Sequence, residues 1–141
     1  MRAIIFRGRY LDENNQYKWV YGSHVKRSYS DQRIYSEYDE TYYTVDRTTI
    51  GQYTGKRDKN GEKIFEGDIL RFDCGDEGEE RGLVYYDVKL AGFCMYSDSS
   101  KIPIEMEGTE KDSEIIGNIH DTPERFTPYK NTLPGGIKNW L

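Results

Sequence analysis

The sequence is short of the residues that build helices and of the combinations that build active sites. Among 141 residues there are two alanines and six leucines, four prolines, two histidines and two cysteines. Ala and Leu lead the helix-propensity scale, so their scarcity argues against a helical protein. No apolar run approaches the ~20 residues of a membrane span. The opening MRAIIFRGRY sets only four apolar residues between arginines, too few for a secretory core segment. We therefore expect a soluble, intracellular protein with no membrane partner. Cys74 and Cys94 have nineteen residues between them and no Cys-x-x-Cys motif. The spacing admits a disulfide, but two reduced cytosolic thiols are the reading preferred. His24 and His120 lie far apart with no Glu at zincin spacing, and no Gly-x-Ser-x-Gly elbow occurs.

What is present points to strands. Seventeen Ile and Val, thirteen Tyr and nine Thr suit a pleated surface, and fourteen Gly supply turns. Leu, Ile, Val and Phe total 28, low enough to border on disordered compositions. The tyrosines offset this, since each buries a large ring while its hydroxyl finds a polar partner. The length fits one domain with a real core. Net charge is −5, divided as +2 over residues 1–71 and −7 over 72–141. That is far from a nucleic-acid-binding footprint.

Residues 3–22 read as a hairpin, while 23–40 mix charge, Ser and Tyr without a period and read as a loop. TYYTVD resumes strand character. IFEGDILRF, RGLVYYDVKL, AGFCMYS, KIPIEMEG and SEIIGNIHD follow as short strands, with Pro103 marking an edge and TPERF one helical turn. Ile69 or Leu70, Val84, Tyr86, Ile104 and Ile115 are the expected core, with Val84, Tyr86 and Val88 sharing a face. In the tail, Ile137, Trp140 and Leu141 share one helical face and are expected to dock on the body or on another copy.

Residues 50–70, IGQYTGKRDKNGEKIFEGDIL, carry the densest motif text. A phosphate loop fails on spacing, because three residues separate Gly51 from Gly55 and Arg57 replaces the Ser or Thr. A calcium loop fails because Gly61 comes too early. A hairpin succeeds, since Asp58-Lys59-Asn60-Gly61 is strong turn chemistry. In Glu66-Gly67-Asp68 the glycine permits a sharp turn and Asp68 caps it; the two carboxylates are read as solvated rather than catalytic. Asp76, Glu77, Glu79 and Glu80 read as a solvated acidic loop. The basic turn of Lys56, Arg57, Lys59 and Lys63 beside Tyr53 is a candidate for single-stranded nucleic acid or an acidic partner. Asp58 and Glu62 dilute its charge, so a solubilising hairpin tip is preferred. Tyr42 and Tyr43 are candidate contacts for other protein chains. No catalytic, cofactor-binding or metal residue is assigned.

IGQYTGKRDKNGEKIFEGDILRF resembles the signature of the YopX-like phage and prophage proteins. RAIIFRGRYLDENNQYKWV and EIIGNIHDTPERF are similar to that family's opening and closing segments. The likeness runs from residue 2 to 126 and is weakest over 22–48. Lys56-Arg57, where the family often has an apolar residue, and the tail from Thr127 depart from it. The resemblance implies an all-β protein with an SH3-like small barrel, encoded by a bacterial virus or its integrated remnant and acting in the host cytoplasm. It implies one domain over 1–126, divided into an N-terminal β segment (1–49) and the barrel (50–126), followed by a tail at 127–141. It brings no activity. The function expected is non-enzymatic protein binding or assembly, including self-association, with a nucleic-acid regulator as the alternative.

Overall fold

A computed structural model describes residues 3–73, 75, 78–97 and 103–126. Within them the chain is all-β, with two antiparallel sheets. The strands are β1 (Phe6–Leu11), β2 (Tyr17–Lys26), β3 (Gln32–Ser36), β4 (Thr41–Thr44), β5 (Asp46–Arg57) and β6 (Lys63–Phe65). They continue as β7 (Asp68–Asp73), β8 (Glu79–Asp87), β9 (Gly92–Ser97), β10 (Pro103–Glu105) and β11 (Ser113–Asn118). The only helical pieces among the described residues are single turns at Thr109–Asp112 and Pro123–Arg125. No described helix is long and apolar enough to cross a membrane. The chain divides into two compact units, Met1–Tyr53 and Thr54–Leu141.

In the first unit the hydrogen-bonded order is β4-β3-β2-β1-β5. Period-two alternation assigns the faces. Val20, Ile34 and Val45 are buried together, with Phe6, Tyr10, Tyr43 and Ile50 packed around them. Gly8 makes room for this core, because a Cβ there would stand 2.8–2.9 Å from the Val45 side chain. The opposite face of β1 and β2 interleaves Arg7 and Arg9 with Tyr17, Trp19 and Tyr21, set by the register Arg7↔Tyr21 and Arg9↔Trp19.

Residues 23–40, expected as a loop, contain the end of β2 and all of β3. Strand β3 alternates well, but its inward residues are Gln32, Ile34 and Ser36, two of them polar. Gln32 is buried because it is bonded: its Nε2 donates to the Tyr29 carbonyl at 3.1 Å, and its Oε1 lies 2.9 Å from His24 Nε2. A buried polar group with partners forfeits little, yet it erases the hydrophobic alternation.

In the second unit the order is β10-β9-β8-β7-β11, and the last residues of β5 pair with β6. Strands β7 to β10 form a meander, after which β11 returns to pair with β7. The closed barrel expected does not form. Among the described residues β10 pairs only with β9 and β11 only with β7, leaving both ends of the order open. Strand β10 is three residues long and opens on Pro103, which has no N–H to extend a ladder.

This sheet is covered on both sides. Ile69, Leu83, Tyr85, Cys94, Tyr96, Ile119 and Phe126 form one buried cluster. Ile64, Leu70, Val84, Met95 and Met106 form another, with Ile104 and Ile115 packed against it. Ile69, Leu70 and Val84 are thus core residues as expected, and Ile104 and Ile115 flank the core. Tyr86 is the correction. It is 44% exposed and Val88 83%, while Tyr85 is buried. The apolar face beginning at Val84 ends where β8 runs on past β7, paired with β9 alone, and Tyr86 rests edge-on against Phe93 with centroids 5.3 Å apart.

Gly22 permits the closest backbone approach in the first unit. Its φ is +157°, and a Cβ there would lie 1.8 Å from the Tyr35 carbonyl oxygen. Gly22→Ala must push β2 away from β3. We expect a loss of stability at or above the ~1–3 kcal/mol typical of an overpacked site. An unchanged melting temperature would show that β3 does not sit where described.

Candidate functional site

The turn joining β5 to β6 carries the basic candidates, and its centre is Asp58, which is only 3% exposed. Its Oδ1 accepts the N–H groups of Asn60 and Glu62, both at 2.9 Å. Oδ2 accepts the Ile115 N–H at 3.0 Å, fifty-seven residues along the chain. Gly61 stands at φ +81° and donates its N–H to the Asp58 carbonyl at 3.0 Å, the left-handed position that glycine fills without strain. The expected hairpin is confirmed, and it is also tied to β11, since Lys59 N–H donates to the Ser113 carbonyl at 2.9 Å.

Two of the four basic side chains are engaged with this structure. Arg57 Nη1 donates to the Gly61 carbonyl at 2.8 Å. Lys59 Nζ lies 3.9 Å from Glu114, which also pairs with Arg71. Lys63 is exposed and Lys56 half-buried. Tyr53, expected beside them as a stacking ring, is buried at 8% exposure and offers no face to a ligand. The five residues do not come together as a cradle. Nor is Asp68 solvated as expected. It is buried and accepts the Phe65 N–H at 2.8 Å. Gly67, at φ +92°, donates to the Val84 carbonyl and accepts from the Ile119 N–H, both at 2.8 Å. Glu-Gly-Asp is a structural clasp.

Tyr42 and Tyr43 occupy opposite faces of β4. Tyr42 is 58% exposed and lies against Tyr35, with centroids 4.8 Å apart. Tyr43 turns inward, packs on Tyr10 at 4.7 Å and donates its hydroxyl to Asp39. That bond and partial desolvation push the Tyr43 phenol up to about 12. The same bond holds the Asp39 carboxyl below its usual range. Of the two candidates only Tyr42 faces outward.

Residue patterns missed the cation–aromatic ladder. Arg9 lies 4.0 Å from the Tyr17 ring centre and Arg7 4.6 Å from that of Trp19; Arg47 covers Tyr29 at 4.2 Å. The signal was the alternation Arg-Gly-Arg facing Tyr-Lys-Trp-Val-Tyr. Each guanidinium is spent on a ring, which stiffens the sheet face.

Cys94 is a buried free thiol, and burial pushes it up, away from the reactive thiolate. Cys74, Asp76, Glu77 and the tail residues Ile137, Trp140 and Leu141 lie outside the described residues. Glu79 bridges Arg71 and Arg81 at 3.9 and 3.7 Å. Among the described residues no group of three or more His, Cys, Asp or Glu side chains is placed to hold a metal ion.

A family model described as YopX protein matches residues 6–127. No curated protein matches the chain. The crystal structure of protein EF1440 from Enterococcus faecalis is similar, with a TM-score of 0.52 and 22% identity over 90% of this chain and 100% of that one. At that identity the likeness speaks for the fold.

Two expectations follow. Asp58→Ala removes an acceptor shared by three N–H groups and should cost about 2–3 kcal/mol or more in urea unfolding. An unchanged midpoint would mean the turn supports itself. The second concerns alkaline pH. A phenol whose folded value is raised above ~10 contributes stability that is complete below pH ~10. That contribution is lost as pH rises through about 12. Tyr43→Phe should remove one late-titrating phenol from the ultraviolet absorbance titration; superimposable curves would contradict the Asp39 bond.

Proposed function

Because the chain belongs to the YopX protein family, we propose that it is a phage- or prophage-encoded binding and assembly protein. It works without turnover, in the cytoplasm of a bacterial host. The observation that carries this reading is the tyrosine surface of the first unit. Nine of the thirteen tyrosines fall between residues 10 and 53. Tyr17, Tyr21, Tyr29, Tyr38 and Tyr42 are all exposed, Tyr38 completely. Exposed tyrosines give large contact area at low entropic cost, which suits recognition of other protein chains. In the second unit, a meander whose fifth strand returns to the first is the connection order of an SH3-like barrel. We read that unit as an open version of that fold, serving as a platform.

The nucleic-acid alternative rests on Lys56, Arg57, Lys59 and Lys63. It is disfavoured by the internal contacts of Arg57 and Lys59 and by the burial of Tyr53. Light scattering should find a species larger than 16.6 kDa, or affinity capture a defined protein partner, and Tyr42→Ser should weaken that association. A strict monomer that captures no protein, yet shifts oligonucleotides in a salt-sensitive way, would replace this reading with the alternative.

A further inference from the structure

The sequence holds one Asn-Gly pair, Asn60-Gly61, and the fold sets it at the tip of the β5–β6 hairpin. Asparagine before glycine is the pair most prone to lose ammonia, because glycine has no side chain to hinder its nitrogen. In that step the Gly61 nitrogen gives its proton to solvent and bonds to Asn60 Cγ. The Cγ–Nδ2 bond breaks, and ammonia leaves with a proton taken from water. Water then opens the succinimide ring at either carbonyl, leaving aspartate or isoaspartate. Both residues are exposed, and a Cβ on Gly61 would meet nothing within 4 Å, so water has access.

The turn geometry holds this reaction back. Gly61 N–H donates to the Asp58 carbonyl at 3.0 Å, closing a turn with Lys59 and Asn60 at its centre. Neither central residue has a positive φ, which makes the turn type I followed by a left-handed glycine. Asn60 then has a ψ of about 0°, so the Gly61 nitrogen lies beside the Asn60 nitrogen, turned from Cβ. Ring closure needs that nitrogen to eclipse Cβ, a rotation of about 120° away from the turn conformation. The rotation carries Gly61 N–H off the Asp58 carbonyl, and the Gly61 carbonyl off Arg57 Nη1, which donates to it at 2.8 Å. Asp58 Oδ1 opposes it further by holding the N–H groups of Asn60 and Glu62, both at 2.9 Å.

We infer that Asn60 is a site of isoaspartate formation gated by this turn, open to rearrangement only while the hairpin tip is open. Closing again does not reverse it. Isoaspartate adds a carbon to the main chain between Asn60 Cα and the Gly61 nitrogen, and leaves a new carboxylate near Asp58 and Glu62. The register that lets Asp58 hold both Glu62 and Ile115 is lost. The modified fraction therefore records how long the tip has spent open.

The test follows the peptide containing Asn60, by mass and by enzymatic isoaspartate methylation, in the full chain held at mildly alkaline pH. Native wild type should deamidate there at least about a hundredfold more slowly than the chain unfolded in urea, because several hydrogen bonds must open first. Arg57→Ala removes the bond to the Gly61 carbonyl from an exposed side chain and should leave melting near wild type. Its native deamidation should be faster by about three- to tenfold, with Gly61 amide exchange faster by the same factor. Equal rates in native and unfolded wild type would overturn the gate. So would faster Gly61 exchange in Arg57→Ala with deamidation unchanged. An unfolded chain that forms no isoaspartate at Asn60 would overturn the site itself.

Discussion

Buried at the head of a tight turn, the Asp58 carboxylate faces three backbone N–H groups, two of its own turn and one from β11. A carboxylate removed from water is costly unless its oxygens are matched by donors, and here both are. The match holds only while β11 lies alongside the turn. Correct closure of the β5–β6 hairpin and correct return of β11 to β7 are therefore one requirement. Gly67 repeats the device next door, joining β8 to the end of β11 through both sides of its peptide. The Asp12 turn in the first unit is the same local structure without the long-range tie. Asp12 Oδ1 accepts Asn14 and Gln16 N–H groups at 2.8 and 2.9 Å, and Asn15 takes the left-handed place that Gly61 fills. It closes a hairpin and nothing more.

That contrast explains how much could be read from residues in order. Asp-x-Asn followed by Asn or Gly is local chemistry, and both hairpins built on it were visible. The bond from Asp58 to Ile115 was not, because nothing in a turn sequence names a partner fifty-seven positions away. Strand β3 was hidden by Gln32 and Ser36, polar residues that belong inside only because the fold supplies their partners. Tyr86 was misplaced because the alternation through Val84 does not show where along β8 the cover ends. Among the candidate contacts, Tyr42 faces outward. Tyr43 and Tyr53 were drawn inward by a carboxylate and by burial, neither of which a count of tyrosines can weigh.

The charged groups around the β5–β6 turn also change meaning. Arg57 closes the turn on the Gly61 carbonyl, and Arg71, Lys59 and Glu114 form a surface network across β7 and β11. Exposed ion pairs of this kind contribute little each. Of the basic candidates they engage only Lys59.

The covering of the second sheet on both faces has a consequence for motion. Gly82, Leu83, Val84 and Tyr85 are four consecutive buried residues in the middle strand of the order; all pair with β9, Gly82 and Leu83 pair with β7 as well, and a separate cluster lies on each side. Their amides have no shallow route to solvent: local fraying of β10 or β11 leaves them paired. Exchange at Gly82 and Leu83, paired on both sides, should wait for the whole unit to open and so record its global stability. The edge strands can fray while this strand stays shut.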